Sequence, residues 1–271
     1  MTTPALALRT PAADHLRALR LRLLGAAALV LLTLSYAAAQ QSGFYLGTKA
    51  GVNGSRFRFT EDLKTLYPTS ERLAGLSLGI ETGIAVGRWN FGTGFEYQQK
   101  GGHYTSDPYV VTFDDGSEGT EIEYARERTH VLTVPAMIGY SDYLAQRVGY
   151  RIQAGPAFDI GLTGRIDRTV ETFGEEVPEI LNDKVAFGGG VNDDYRKVQA
   201  SFRLNPEVWF DLSRNHRLSV GAHWDFGAAD AFNPNYKVAN AFFDVFDGGL
   251  TNRTAAVTVG YQYRIPFADR Y

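Results

Sequence analysis

From Leu76 to Val86 the chain alternates strictly. Leu76, Leu78, Ile80, Thr82, Ile84 and Val86 share one parity, and Ser77, Gly79, Glu81, Gly83 and Ala85 share the other. After Gly87–Arg88 the pattern resumes, with Trp89, Phe91, Thr93, Phe95 and Tyr97 set against Asn90, Gly92, Gly94, Glu96 and Gln98. Period two marks a β-strand whose faces meet different surroundings, and the tight break predicts a hairpin. The same alternation recurs on both sides. It is present in "GFYLGTKAGVNGSRF", where Phe44, Leu46, Ala50 and Val52 oppose Gly47, Lys49, Gly51 and Asn53. It returns in "HVLTVPAMIGY", "VGYRIQAGPAFDIGL", "VQASFRLNPEVWFDL", "LSVGAHWDF" and "AVTVGYQYRIPF". The expected fold is all-β, an antiparallel up-and-down barrel of about eight strands, the smallest closed membrane barrel.

The connections carry a second signal. Short joints are expected at Gly87–Arg88, near "SDYLAQR" and at "SRNH"; long ones are expected over Thr60–Leu73, Gly101–Glu127, Gly164–Lys197 and Ala229–Asn252. Short and long alternate, as they do in a membrane barrel with periplasmic turns and extracellular loops. Loops this long are uncommon in a compact soluble domain. Alternation in "YVVTF" and "TEIEYARE" suggests that a hairpin continues above the membrane.

Two barrels fit such strands. A lipocalin-like soluble barrel turns its apolar parity inward around a ligand; a membrane barrel turns it outward. Three features favour the membrane. The polar parity is crowded with glycine, which suits an interior only just wide enough for side chains and would be an entropic cost on a solvated sheet. That parity also carries balanced charge: Lys49, Lys100, Arg151, Arg203 and Arg264 against Glu81, Glu96, Asp159, Glu207 and Asp225. A narrow bore requires such pairing, because an unpaired buried charge is costly. Finally, the apolar parity is expected to end in aromatic belts. Phe44, Trp89, Phe91, Tyr140, Tyr150, Phe210, Tyr263 and Phe267 would lie on the short-turn side, and Phe57, Tyr97, Trp224 and Phe226 on the long-loop side. In hydrocarbon every backbone polar group must be paired internally, so strands span only as a closed ring. Pro135, Pro156 and Pro206 conflict with this pattern, since proline removes a ladder donor; bulges or missing hydrogen bonds are expected there.

Composition narrows the class. The 271 residues include no cysteine, which excludes a disulfide framework, a thiolate metal site and a cysteine-anchored lipoprotein. A net charge of −3 argues against a nucleic-acid partner. Arg9, Arg17, Arg20 and Arg22 precede the apolar run "LLGAAALVLLTL", and "SYAAAQQ" follows. This order describes a secretory signal peptide over residues 1–39 with cleavage after Ala39, leaving 40–271 as the barrel domain; an anchoring helix is the alternative.

Against that background, "LGTKAGVNGSRF", "VLTVPAMIGY", "YRIQAGPAFDIGL" and the closing "VTVGYQYRIPF" resemble the PorT-like outer-membrane β-barrel family. The resemblance covers essentially the whole mature chain through strand motifs. It implies a Gram-negative outer membrane, insertion by the barrel assembly machinery and, for some relatives, a link to a secretion and gliding system. It also makes Pro135 and Pro156 look expected. The terminal Tyr271, in phase with Tyr263 and Phe267, resembles an insertion signal, although Asp269 and Arg270 depart from a clean pattern.

Candidate chemistry is sparse. Ser219, His223 and Asp225 share the inward parity, but residues spaced by two on one strand stack along it and do not by that spacing form a relay; a polar interior network is the plainer reading. Glu81 and Glu96 on paired strands suggest a carboxylate pair, yet nearby Lys and Arg favour ion pairing. The loop acids Asp107, Asp114, Asp115, Glu118, Glu121, Glu123 and Glu127, with those of "ETFGEEVPEILNDK" and "VNDDY", read as a solvated acidic surface; no cation-binding loop of defined spacing occurs. No cofactor is expected. The expected function is non-enzymatic: a barrel filled by the ionic network, in contact with outer-membrane lipid, presenting long acidic loops to an extracellular or periplasmic partner. A secretion-system accessory and a lipid-modifying hydrolase are the alternatives.

Overall fold

The computed structural model describes residues 42–59, 61–113, 116–173, 179–189, 194–228 and 250–267. Residues 1–39, with the expected signal peptide, and Tyr271 lie outside this set. Eight long strands form the ring: β1 (Gly43–Phe59), β2 (Thr69–Val86), β3 (Trp89–Thr105), β5 (Glu118–Ala145), β6 (Val148–Thr172), β10 (Val198–Asp211), β11 (His216–Gly227) and β12 (Leu250–Pro266). Each pairs antiparallel with its sequence neighbour in the ring, and β1 pairs with β12 to close it. The remaining elements lie within the long connections: α1 (Glu61–Leu66), β4 (Tyr109–Thr112), β7 (Glu179–Val185), and the parallel pair β8 (Phe187–Gly188) and β9 (Tyr195–Arg196).

The tight turns fall where the alternation breaks. Gly87, at φ 60°, opens the β2–β3 turn in a conformation that glycine adopts without steric cost. At the other end the strands run further than expected. β3 continues to Thr105, β5 begins at Glu118 and β6 ends at Thr172, so much of the sequence read as loop is sheet. β4 pairs with Glu118–Glu121 of β5, which makes the suggested hairpin, and β7 pairs with the upper part of β6.

The apolar parity faces outward. Leu46, Val52, Ile80, Phe95, Ile152, Phe202, Val220 and Val259 are exposed in a continuous band around the ring, while Thr133, Gln98, Gln262, Ser77 and Asp225 are buried in the bore. Such a distribution is unfavourable in water and appropriate in lipid. One belt residue is corrected. Phe57 is buried at 4% exposure because it shares parity with Lys49 and Asn53, so it points into the barrel above the membrane.

The three strand prolines do not create bulges. Pairing skips a step beside Pro135 between Thr93–Ala136 and Glu96–Thr133, beside Pro156 between Pro135–Ala157 and Ile138–Ala154, and beside Pro206 between Leu204–Trp224 and Glu207–Gly221. Register is the same on either side of each gap. A missing donor thus interrupts the ladder without inserting a residue. The register shifts lie elsewhere, at His130/Val131 and Tyr143/Ala145 in the β5–β6 pairing and at Arg72/Ser77 in the β2–β3 pairing.

Candidate functional site

Among the described residues the bore holds two large ionic clusters stacked along its axis, and a smaller Asp211–Arg217 pair at 2.8 Å at the short-turn end. The one nearer the short turns joins β1, β2, β6 and β10. Lys49 Nζ lies 2.6 Å from Glu81 and 3.1 Å from Glu207. Arg151 donates through Nη2 to both oxygens of Glu207 at 3.0 Å and to Glu81 at 3.2 Å. Gln262 from β12 donates to Glu81 and, at 3.4 Å, to Glu207. Two cations therefore face two carboxylates. The Arg151 guanidinium also sits 5.1 Å from the centre of the Tyr45 ring, a favourable cation–π distance.

The second cluster joins β3, β6, β10 and β11. Lys100 Nζ is 2.7 Å from Asp159 and 3.4 Å from Asp225. Arg203 donates Nε and Nη2 to Asp225 at 2.6 and 2.8 Å and Nη1 to Glu96. Neutral donors complete the carboxylates: Ser77 and Gln98 donate to Glu96, and Thr133 to Asp159 at 2.5 Å. The contact from Lys100 on β3 to Asp225 on β11 runs between strands four steps apart in an eight-strand ring, across the full width of the bore.

Nine of the ten residues expected in the interior network lie in these clusters. The tenth, Arg264, belongs to neither. It is half-buried near the end of β12, where its backbone N–H donates to Asn215 O at 2.7 Å. Its height is the physical reason: it lies at the short-turn end of the bore, near Arg217 and Tyr143, below the two large clusters. The expectation also omitted the neutral members Gln98, Gln262, Ser77 and Thr133. Their inward parity was legible; their partners on distant strands were not.

The imagined Ser–His–Asp set has no relay geometry. His223 Nε2 faces Gln98 Nε2 at 3.2 Å and Glu96 Oε1 at 3.6 Å, and its hydrogen bonds do not go to Ser219 or Asp225. Glu81 and Glu96, the suggested carboxylate pair, are divided between the two clusters. His130 turns outward and pairs with the Tyr97 hydroxyl.

Above the second cluster the mouth is roofed by an apolar core. Phe57, Ala125, Ile166, Val185, Tyr195 and Leu250 are buried together, with Phe59, Tyr104 and Phe187 packed against them. Here the alternation inverts. Arg126 and Arg128 face outward while Ala125 and Glu127 face inward, as expected where the wall stands in water beyond the lipid. Glu127, expected on a solvated acidic surface, is instead buried in this roof. Tyr195 Oη donates to its Oε2 at 2.7 Å, while Oε1 is buried without a protein partner. Burial first, and the nearby Asp194 in addition, raise its carboxyl to about 8, against the lowering by Tyr195 and Arg168. Asp114, Asp115, Glu175, Glu176 and Asp193 lie outside the described residues; Glu123 is paired, accepting from Tyr67 at 3.2 Å and lying 3.5 Å from Arg168.

A closed eight-stranded ring with a lipophilic exterior and a charged, filled bore defines an integral outer-membrane β-barrel protein. Residues 38–246 match the family model for the outer membrane protein beta-barrel domain, and the chain belongs to that family. Solved structures similar to it include the Neisserial surface protein A, at 12% identity, TM-score 0.40, and coverage of 83% of this chain and 98% of that one. Ail, the attachment invasion locus protein of Yersinia pestis, is similar at 8% identity, TM-score 0.33, and coverage of 82% and 99%. The outer membrane protease OmpT from Escherichia coli follows at 10% identity, TM-score 0.33, and coverage of 84% and 98%. No curated protein matches the chain in sequence.

Proposed function

We propose that this protein is a closed, non-enzymatic barrel that anchors an extracellular sheet and its loops for contact with other molecules. The observation that carries the reading is the continuous obstruction of the bore. Two ionic clusters tie strands on facing walls together, and the aromatic roof lies above them. A solute would have to break several buried ion pairs to pass, and each such break costs several kcal/mol. The strands projecting beyond the lipid band carry charged groups for such contact: acids at Glu118, Glu121, Glu171 and Glu179, and arginines at Arg126, Arg165 and Arg168. Reconstitution in a planar bilayer tests the closed bore. We expect no stable conductance from the full chain; a large, steady conductance would overturn the reading.

The PorT-like strand motifs support a second, narrower reading, an accessory of a secretion system. Co-purification of the detergent-extracted barrel with periplasmic proteins tests it, and an isolated barrel would reject it. The hydrolase reading draws no support from the geometry around His223. Turnover of outer-membrane lipid by the wild type that is lost in His223→Ala would reinstate it.

A further inference from the structure

Just above the lipid band, three adjacent strands repeat one outward-facing order. Reading away from the membrane, β2 presents Leu76, Ala74 and Arg72; β1 presents Val52, Gly54 and Arg56; β12 presents Val257, Ala255 and Arg253. The register sets these rows side by side. Val52 is opposite both Leu76 and Val257, Gly54 is opposite both Ala74 and Ala255, and Arg56 is opposite Arg253. The pair Ser55–Leu73 brings Arg72 level with Arg56 on its other side. The wall is thus an aliphatic row, then a row of small residues, then three arginines on adjacent strands, with the Arg72 side chain passing beside Gly54.

Like charges directly opposed across strands are destabilising. Among the described residues no carboxylate lies within salt-bridge distance of Arg56, Arg72 or Arg253, whereas Arg165, elsewhere on the outer wall, is paired with Asp167 at 2.7 Å. The three arginines also face the surroundings: Arg56 and Arg72 are exposed and Arg253 half-exposed. Their location, one small residue above the apolar band, is the depth of the outer-leaflet headgroups. On β11, Phe226 stands opposite Arg253 and Trp224 opposite Ala255, so the flank of the rows on that side is aromatic.

We propose that this three-arginine row binds the phosphate-bearing headgroup of an outer-leaflet lipid. The fork geometry of arginine matches phosphate oxygens, the small Ala74–Gly54–Ala255 row leaves room for an arginine side chain to reach toward the lipid, as Arg72 does beside Gly54, and the aliphatic row below continues into the acyl region. The bound anion relieves the repulsion that the barrel alone does not offset. This site is independent of whether the bore conducts.

The test uses the full chain in nonionic detergent, with a diphosphorylated glycolipid, its dephosphorylated counterpart and inorganic phosphate as probes. Bound lipid is counted by native mass spectrometry, and the unfolding midpoint is followed by heat-modifiable gel mobility. We expect the phosphorylated lipid alone to be retained and to raise the midpoint. In R56Q/R72Q/R253Q retention should fall at least tenfold and the rise disappear, while R165Q behaves as wild type. Without lipid, the triple variant should unfold no earlier than wild type. Equal retention of the dephosphorylated lipid, an equal rise with inorganic phosphate, or unchanged retention by the triple variant would each overturn the proposal. Should the triple variant fold poorly, Arg56→Gln alone, the middle of the row, is expected to weaken retention several-fold, and wild-type retention in that variant refutes the site.

Discussion

Removing the carboxylate of Glu207 is the sharpest probe of the bore. Its side chain is 1% exposed and takes Lys49 at 3.1 Å and Arg151 at 3.0 Å through both oxygens. With Glu207→Ala, Glu81 alone faces two cations, and the inner cluster changes from balanced to one excess positive charge. At about 3 Å and an effective dielectric near 20, each lost pair is roughly 5 kcal/mol of gross attraction. Much of this is offset because Glu207 no longer has to be desolvated. What remains is the cost of a stranded buried cation, about 3–5 kcal/mol. Urea unfolding in lipid vesicles, followed by tryptophan emission and gel mobility, measures it. The double variant Glu207→Ala/Lys49→Met restores balance, with Arg151 facing Glu81 at 3.2 Å. We expect it to be more stable than the sum of the single changes predicts, by at least about 1 kcal/mol. A single variant within about 0.5 kcal/mol of wild type, or strict additivity in the double, would show that the cluster is not an energetic unit.

The chain has three tryptophans, of which Trp89 and Trp224 are 44% and 39% exposed on the apolar face and Trp209 is 1% exposed; in single-tryptophan variants, brominated acyl chains should quench the first two strongly and Trp209 little, and the reverse order would invert the barrel. Glu127 titrates near 8 when folded against 4.5 in its ordinary state, so the roof should be most stable at and below about pH 4.5, weaken as pH rises toward 8, and then level off, with a total change of up to about 5 kcal/mol; hydrogen exchange at Ala125–Thr129 reads this, and Glu127→Gln should flatten the profile, while an unaltered profile would remove Glu127 as its cause. Gly101 has φ 149° and an added Cβ there would lie 2.0 Å from Glu127 O, so Gly101→Ala should destabilise the upper sheet by about 1–3 kcal/mol and loosen the Ser55–Gly101 bonds; an unchanged unfolding curve would refute it.

The ring, its parity and its turns were legible because one physical rule, lipid outside and a narrow bore inside, applies to every spanning residue. That rule stops at the membrane boundary. Above it the exterior is water, so Arg126 and Arg128 face out while Ala125 and Glu127 face in, and a reading by composition put Glu127 on the surface. Phe57 shows the same limit: its aromatic character suggested a belt, although its parity with Lys49 already placed it inside. Charge balance identified the members of the interior network, but Lys49 meets Glu207, and Lys100 meets Asp225, through strand tilt and ring closure, which no local pattern encodes. Arg264 had the right parity and the wrong height. The roof was invisible because its members, Phe57, Tyr195 and Leu250, are dispersed over nearly 200 residues of chain.

β5 and β6 have 28 and 25 residues, while β10 and β11 have 14 and 12. From Arg126 to Glu118 the taller side gains roughly 25 Å along the strand, so among the described residues the sheet rises highest over β5 and β6, like the nib of a quill. A visitor that reaches this flank meets a palisade of paired backbone well before it meets the lipid, and the barrel itself sets the height of first contact.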